Sequence, residues 1–279
     1  AHSSSWFLAV LVKLSLPRLK LIWHDHYGRD LKDRRPGTLK LGSRFFDGII
    51  SVNSDLKVWA ENNLNTKQIR FFRNFLPAAE NNSLSKVKDR SPLRGEEEFK
   101  IICLANLRPQ KDHLNLLRAF QLVLKEHPKV SLHLVGKDEQ DDYSRELKKF
   151  VKKHKLREKV FFYGEQQNVE DLLKAADLGV LSSSSEGLPV ALLEYGGARL
   201  PIVCTDVGEC AEVIGTAGIL VPPQNPEALA KAINLYLMND AKRMKDAASF
   251  HAIVIAAFSE EEIFPSLLKF YKIILENKN

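Results

Sequence analysis

Short apolar runs alternate with longer amphipathic segments in the second part of the chain. After residue 98, the run starting at Ile101 is followed by VSLHLVG, VFFYG, LGVLSS, PIVCT and GILVP. Between these runs lie segments with helical spacing, among them LNLLRAFQLVL and YSRELKKFVKKHK. This alternation is typical of βαβ units around a parallel sheet covered by helices on both faces. It predicts a doubly wound, Rossmann-like arrangement of six strands over 99–255, within a domain of residues 99–258.

The first part of the chain has a shorter α/β pattern. WFLAVLVKLSL, LKLGSRFF and SDLKVWAENN predict helices, the last opened by the cap Ser54. LKLIWHD, DGIISV and IRFFRNF predict strands. Residues 1–80 therefore have room for about half of a doubly wound domain. Residues 81–98 are polar and without periodicity, which predicts a linker or exposed loop. Residues 259–279 predict a terminal helix capped by Ser259.

Composition sets the class of protein. The 279 residues are 44% hydrophobic and 27% charged, as in a globular protein, and no apolar run approaches the roughly 20 residues of a membrane span. Three cysteines favour a reducing, cytoplasmic setting over a disulfide framework. The net charge of +6 lies wholly in residues 1–98, which contain 17 Lys and Arg against 11 Asp and Glu. No nucleic-acid-binding module is present, so we expect this excess to meet an anionic membrane surface, or to be a solvated basic face.

The loop after LGVLSS is the richest in candidate chemistry. In SSSSEGLPVALLEYGG, serines lead into a helix whose first backbone N–H groups, around Val190 and Ala191, are suited to bind phosphate. Glu186 lies at the mouth of the loop and Glu194 inside the helix. A carboxylate at Glu194 could accept both hydroxyls of a ribose, and Glu186 could meet a group beyond the phosphates. The alternative is a loop charge and a solvated helix position.

Two further loops follow predicted strands. In ANLRPQKDH, Arg108 and Lys111 could neutralise a diphosphate, or could be plain surface cations, and Asp112 could cap the next helix. IWHDHYG places His24 and His26 at another carboxyl edge, where hydrogen bonding to a ligand, a structural role and, least favoured, a metal site are the alternatives. The sequence contains no P-loop, no G-x-G-x-x-G after the first strand of 99–258, no H-E-x-x-H and no CxxC.

Together these segments resemble a known family. LANLRPQKDHLNLLRAF, LHLVGKD, VFFYG, the E-x7-E of SSSSEGLPVALLE, LPIVCTDVGECAEVI and GILVPP resemble, in order, glycosyltransferase family four. The resemblance implies the GT-B fold, with two Rossmann-like doubly wound domains facing across a cleft. Residues 1–80 resemble the second half of the acceptor-side domain, so we expect its first strands and glycine-rich loop to be missing. The terminal helix resembles the one that crosses back to that domain.

The resemblance also implies roles for individual residues. Glu186 contacts the donor sugar, Glu194 the ribose, and the N–H groups of Val190 and Ala191 the diphosphate. Lys111 and Arg108 neutralise that diphosphate, although many members have Arg where this chain has Asn106. His24, with His26 as the alternative, faces the donor phosphate and sugar. Two assignments are looser: Glu212 matches an acidic turn residue that could equally be a structural cap, and the base is expected near Tyr163–Gly164.

The implied function is that of a retaining, metal-independent hexosyltransferase. It needs no cofactor beyond its donor substrate, a UDP- or GDP-sugar. The acceptor is expected to be a cell-surface glycan under synthesis or a lipid-linked glycan, met in the cytoplasm or at the inner face of the membrane. We weighed two alternatives, a GT-B-like sugar-nucleotide epimerase and a nucleotide-binding but inactive fragment. No nucleic-acid partner is expected.

Overall fold

The chain forms two compact units. The computed structural model describes residues 5–26, 34–77 and 93–276. One unit comprises residues 1–75 with 258–279, and the other comprises residues 76–257. The predicted linker, residues 81–98, lies partly outside the described residues, which omit 81–92. The segment 259–279, predicted as a terminal helix, groups with the N-terminal unit.

A six-stranded parallel sheet forms the centre of the C-terminal unit. Its strands are β4 (Phe99–Leu104), β5 (Val130–Val135), β6 (Val160–Gly164), β7 (Leu178–Leu181), β8 (Ile202–Thr205) and β9 (Ile219–Val221). The spatial order is β6-β5-β4-β7-β8-β9. The chain therefore builds outward from β4 on one side and returns to β7 on the other. This reversal between β4 and β7 is the topological switch point of a doubly wound sheet, as predicted.

Helices cover the sheet of the C-terminal unit. They are α4 (His113–Glu126), α5 (Asp142–Lys153), α6 (Glu170–Lys174), α7 (Val190–Gly197), α8 (Cys210–Ile214), α9 (Pro226–Met238) and α10 (Asp240–Phe258). Every residue of β5, β7 and β8 is buried, which explains why these strands are continuous apolar runs and not alternating ones. The helix α10 was not predicted from the sequence. Its first seven residues are largely charged, and the remainder has no charged residue and is buried at Ala247, Phe250, Val254 and Phe258, which share one helix face.

The N-terminal unit has a smaller parallel sheet. Its strands β1 (Ile22–Asp25), β2 (Gly48–Ser51) and β3 (Ile69–Phe71) lie in the order β1-β2-β3. Its helices are α1 (Trp6–Ser15), α2 (Gly37–Gly42), α3 (Ser54–Asn63) and α11 (Glu260–Glu276). Phe270 and Ile274 of α11 pack against Ile50 of β2, which ties the end of the chain to this sheet.

The beginning of α3 differs from the prediction. Ser54 is the first helical residue, and the cap is Asn53, whose side-chain oxygen accepts a hydrogen bond from the backbone N–H of Leu56 at 2.7 Å. Asn and Ser are comparable caps, so the sequence alone could not choose between neighbours. In the C-terminal unit, Asp112 caps α4 as predicted, accepting from Asn115 N–H.

A buried ion pair stabilises the end of β1. Arg34 donates from both terminal nitrogens to Asp25, at 2.7 and 3.0 Å, and its guanidinium lies 3.8 Å from the ring centroid of Trp59. Both side chains are almost fully buried. Among the described helices, none combines the length and apolar character needed to cross a membrane.

Candidate active site

The loops on either side of the switch point are hydrogen-bonded to each other. One follows β4 and leads through a short 3-10 turn, Pro109–Lys111, into α4, and the other follows β7 and leads into α7. Ser182 donates its hydroxyl to the carbonyl oxygens of Lys111 (3.0 Å) and Asp112 (3.2 Å). The N–H of Ser184 donates to Gln110 at 2.8 Å. These bonds bring together the loops that contain Lys111 and Glu186.

Lys111 and Glu186 form an ion pair at the carboxyl edge of the sheet. Lys111 Nζ lies 2.5 Å from Glu186 Oε1, and Ser183 donates its hydroxyl to the same oxygen at 2.5 Å. The side chain of Glu186 is 8% exposed and that of Lys111 is 22% exposed. A partly desolvated carboxylate and ammonium are thus held beside the point where an open α/β sheet binds its ligands.

The turn after β8 supports this loop from the other side. Thr205 donates its hydroxyl to the carbonyl oxygen of Ser183 at 2.6 Å, and Glu209 N–H donates to Gly187 at 3.0 Å. Gly208, with a φ of +55°, passes so close that a Cβ placed on it would lie 2.4 Å from the carbonyl oxygen of Glu186. The absence of a side chain at Gly208 therefore lets the turn approach the backbone of Glu186. Glu212, in the first turn of α8, is exposed.

The start of α7 presents backbone donors. Pro189 is the N-cap and has an extended backbone, and Val190 is the first helical residue. The helix therefore begins one position later than it would if Pro189 lay in its first turn. The N–H groups of Val190 and Ala191 therefore have no carbonyl partner within the helix, which is the arrangement that binds anions. Glu194 lies four residues after Val190 and so shares its helix face. Glu194 is half-buried, and burial raises the pKa of its carboxyl.

Tyr195 occupies the switch point itself. Its buried hydroxyl accepts a hydrogen bond from Leu104 N–H of β4 at 2.6 Å and lies 3.3 Å from the carbonyl oxygen of Val180 in β7. β4 and β7 pair only through Ile101 with Leu178 and Ile102 with Gly179. Tyr195, the residue after Glu194, thus bridges the two strands beyond the point where their direct pairing ends.

Arg108 and Asn106 lie in the same loop as Lys111 but have different surroundings. Arg108 is exposed, and its guanidinium forms no ion pair with any residue of the described ranges. Asn106, at the position where many family members have Arg, accepts the backbone N–H of Lys137 at 2.8 Å. Asn106 therefore joins the loop after β4 to the loop after β5, whereas Arg108 is an exposed cation of the same loop.

His24 and His26 lie in the N-terminal unit, at the carboxyl end of β1. His24 Nε2 is 3.1 Å from the hydroxyl of Tyr271 on α11, and burial lowers the pKa of His24. The rings of His24 and His26 are nearly parallel, with centroids 6.4 Å apart. Asp25 between them is paired with Arg34. Within the described ranges, no group of three or more His, Cys, Asp or Glu side chains is placed to hold a metal ion.

Comparison with known proteins assigns the family. Residues 85–249 match the model of the glycosyl transferases group 1 family.

The chain belongs to this family.

Curated relatives of this glycosyl transferase group 1 chain are longer than the region matched. An exopolysaccharide phosphotransferase of Streptomyces coelicolor is 28% identical over 277 residues, covering 95% of this chain and 28% of the relative. A poly(glycerol-phosphate) alpha-glucosyltransferase of Bacillus subtilis is 29% identical over 147 residues, 52% of this chain and 21% of the relative. The aligned region thus spans less than a third of the length of either relative.

Solved structures share the fold. Anabaena HepE, in a complex with UDP and glucose, aligns with a TM-score of 0.80 at 21% identity, covering 96% of this chain and 75% of HepE. Sucrose-phosphate synthase from Thermosynechococcus elongatus aligns with a TM-score of 0.74 at 19% identity, covering 98% and 73%. These likenesses confirm the predicted GT-B fold of two parallel-sheet α/β domains.

Sequence reasoning missed the residues that support the site. Ser183, Thr205, Gly208 and Tyr195 were given no role, although all four contact the residues or strands around Glu186 and Glu194. The available signals were the four consecutive serines before Glu186 and the glycine in TDVGE after a buried strand. Neither signal says which serine turns inward, because that depends on how the loop closes over β4.

Proposed function

We propose that this chain is a retaining glycosyltransferase of the family-four type, which moves a hexose from a UDP- or GDP-sugar to a cell-surface glycan or lipid-linked acceptor. The observation that carries this proposal is the arrangement of Lys111, Glu186 and the start of α7 at the switch point. Together with Glu194 inside α7, it offers a cation, two carboxylates and backbone donors at one edge of the sheet. That is the chemistry needed to hold a nucleotide, a diphosphate and a sugar.

Each group has a part in the proposed reaction. Glu194 accepts the ribose hydroxyls, and the N–H groups of Val190 and Ala191 bind the diphosphate. Glu186 accepts hydroxyls of the sugar. The bond between the anomeric carbon and the phosphate oxygen breaks, and its electron pair stays on the departing diphosphate. The acceptor hydroxyl attacks from the same face and gives its proton to that phosphate. His24 is proposed to act at the donor phosphate and sugar.

Charge on the departing diphosphate is neutralised in this proposal by Lys111 and Arg108, without a metal ion. A preorganised cation and backbone donors stabilise the transition state because they need no reorientation as charge develops. UDP is the first nucleotide to test, since HepE, which shares the fold, is described in complexes with UDP and UDP-glucose.

Binding experiments test the assignment of the donor site. Calorimetric titration with UDP and GDP should give a complex with one of them. Glu194→Ala should weaken binding of the free nucleotide, whereas Glu186→Ala should weaken only the complex with the sugar-bearing donor. Glu146→Ala, an exposed carboxylate on α5, is the matched control. Absence of binding by every nucleoside diphosphate, or equal losses in the two site variants, would contradict the proposal.

Product analysis separates the reaction classes. One relative covering 95% of this chain is named a phosphotransferase, which makes transfer of a sugar phosphate the second candidate reaction. Sugar transfer releases a nucleoside diphosphate, whereas sugar-phosphate transfer releases a nucleoside monophosphate. An epimerase would convert the UDP-sugar without any acceptor. Chromatography of the nucleotides formed with and without a lipid-linked acceptor distinguishes all three outcomes.

We further propose a peripheral contact with an anionic membrane surface, through the N-terminal unit. Exposed apolar residues of α1, among them Phe7, Leu8 and Leu11, lie in a unit that also exposes Arg44 and Lys67. Cations beside apolar side chains favour anionic headgroups. Cosedimentation with vesicles containing phosphatidylglycerol should exceed that with phosphatidylcholine alone, and Arg44→Glu/Lys67→Glu should remove the difference. Equal sedimentation with both vesicles would exclude this contact.

A further inference from the structure

Two groups assigned to different parts of the donor are bound to each other in the structure. In the proposed function, on which this inference rests, Lys111 meets the diphosphate and Glu186 meets the sugar. In the structure, Lys111 Nζ and Glu186 Oε1 are 2.5 Å apart. The Lys111 ammonium has three N–H donors, but a phosphate that binds it competes with the Glu186 carboxylate for its charge. Donor binding therefore has to separate or weaken an existing ion pair.

The pair is sheltered enough for its separation to affect affinity. Glu186 is 8% exposed and Lys111 is 22% exposed. Ion pairs that are largely removed from water are screened less than surface pairs, and a charge left without its partner is costly. A ligand that takes Lys111 must therefore also satisfy Glu186, or lose part of its binding free energy.

Ser183 is a second donor to Glu186. Its hydroxyl donates to the same Oε1 at 2.5 Å. The backbone of Ser183 is held in turn by the hydroxyl of Thr205, 2.6 Å from its carbonyl oxygen. One donor to Glu186 is thus the end of a long lysine side chain, and the other is a short side chain on a backbone that is hydrogen-bonded to β8.

We propose that Lys111 exchanges partners during donor binding, leaving Glu186 for the diphosphate while hydroxyls of the donor sugar take its place at Glu186. Ser183 is the positioning residue that holds the carboxylate through the exchange. A nucleotide sugar supplies both replacements, whereas a free nucleoside diphosphate takes Lys111 and leaves Glu186 without it. The site consequently discriminates against the departing nucleotide, which favours product release.

The central test is the affinity of Glu186→Gln for free UDP, or for GDP if that is the nucleotide the wild-type protein binds. Glutamine has nearly the same shape but cannot form the ion pair, so Lys111 is available to the diphosphate. We expect the variant to bind the free nucleotide about three- to tenfold more tightly than wild type, and the nucleotide sugar more weakly. A carboxylate replacement that tightens nucleotide binding is not expected from a merely structural role. Lys111→Met should lose nucleotide affinity in either background.

Ser183→Ala tests the positioning role. It should leave the dissociation constant of the free nucleotide unchanged, while lowering kcat and the affinity for the nucleotide sugar. Ser183→Thr should restore both, because it keeps the hydroxyl. Ser185→Ala, an exposed neighbour in the same loop, is the control. Thermal unfolding of each variant establishes that it is folded.

The outcomes distinguish failure of the partner exchange from failure of the proposed function. If wild type binds a nucleoside diphosphate and Glu186→Gln binds it equally or more weakly, the exchange is refuted and the proposed function stands. If Ser183→Ala weakens free nucleotide as much as nucleotide sugar, the positioning role is refuted. If wild type binds no nucleoside diphosphate, the donor assignment fails and the exchange fails with it.

Discussion

Replacement of Gly208 by alanine should disturb the loop that contains Glu186. Gly208 has a φ of +55°, and a Cβ there would lie 2.4 Å from the carbonyl oxygen of Glu186 and 2.7 Å from that of Gly187. The left-handed conformation costs an L-residue about 1–2 kcal/mol. Relieving two contacts with backbone atoms adds about 1–3 kcal/mol, as in other overpacked sites. The total loss of folding free energy is then about 2–5 kcal/mol.

Gly215 provides a control that is strained through its backbone alone. Its φ of +57° and ψ of −121° lie in a region that favours glycine, and the nearest atom to a Cβ there is Ile253 Cδ1 at 3.6 Å, an ordinary contact. Gly215→Ala should therefore lose the roughly 1–3 kcal/mol of a strained backbone without displacing the Glu186 loop. A loss of donor affinity in Gly208→Ala but not in Gly215→Ala isolates the collision with that loop.

Calorimetry and donor titration measure the two consequences of Gly208→Ala. For a unit of this size, each kcal/mol lowers Tm by about 2–4 °C, so Gly208→Ala should melt roughly 4–20 °C below wild type. Because the loop must move to admit the Cβ, affinity for the nucleotide sugar should fall at least about tenfold in Gly208→Ala. It should change little in Gly215→Ala. A donor affinity in Gly208→Ala equal to that of Gly215→Ala would show that Gly208 does not fix the position of Glu186.

Three further predictions concern stability. Tyr195→Phe removes the acceptor of Leu104 N–H at the switch point and should cost about 1–3 kcal/mol in chemical unfolding; an unchanged midpoint would show that this N–H finds another partner. Burial lowers the pKa of His113 and of His133 to about 4. The unfolded chain therefore binds more protons below its histidine pKa of about 6.5, and stability falls as the pH drops from 6.5 toward 4, by up to about 1.4 kcal/mol per pH unit for each histidine. Urea unfolding at pH 7 and 5.5 should record this loss of unfolding free energy. His133→Gln should make the loss between the two pH values smaller, and an identical loss would contradict the assignment. Arg34→Met takes the guanidinium from the buried Asp25 and should destabilise the N-terminal unit by about 3–5 kcal/mol, whereas Asp25→Asn/Arg34→Met should lose less; equal losses in the single and double variants would show that the ion pair is not the cause.

The pattern of apolar residues predicted most of the fold because burial leaves a regular trace. All six strands of the larger sheet were located, since β5, β7 and β8 are buried at every position and are bounded by polar turns. The helix α10 was missed although its buried apolar residues Ala247, Phe250, Val254 and Phe258 recur at helical spacing, because the charged residues of its first two turns obscure the pattern. Its position depends on contacts with residues distant in sequence, such as Gly196, where a Cβ would collide with Val254.

Some residues of the candidate site could be selected from the sequence, and others only from the structure. The spacing of Glu186 and Glu194, and the cation at Lys111, could be selected from loops at strand ends. Their partners could not, because a hydrogen bond such as Ser183 to Glu186 depends on which of four adjacent serines turns inward. The contact of Lys111 with Glu186 joins residues 75 positions apart. The roles of these residues toward a donor, and that of His24, stay predictions.

The support of the Glu186 loop depends on a few short side chains. Ser182 and Thr205 donate to main-chain carbonyls of Lys111, Asp112 and Ser183, while Gly208 acts through having no side chain. A main-chain carbonyl can accept a hydrogen bond whatever the side chain of its residue. The positions that supply only a carbonyl are therefore free to vary for specificity, whereas the donors and the glycine are not. It follows that Gln110, which contributes its carbonyl to Ser184, should tolerate substitution, whereas Ser182 and Thr205 should not.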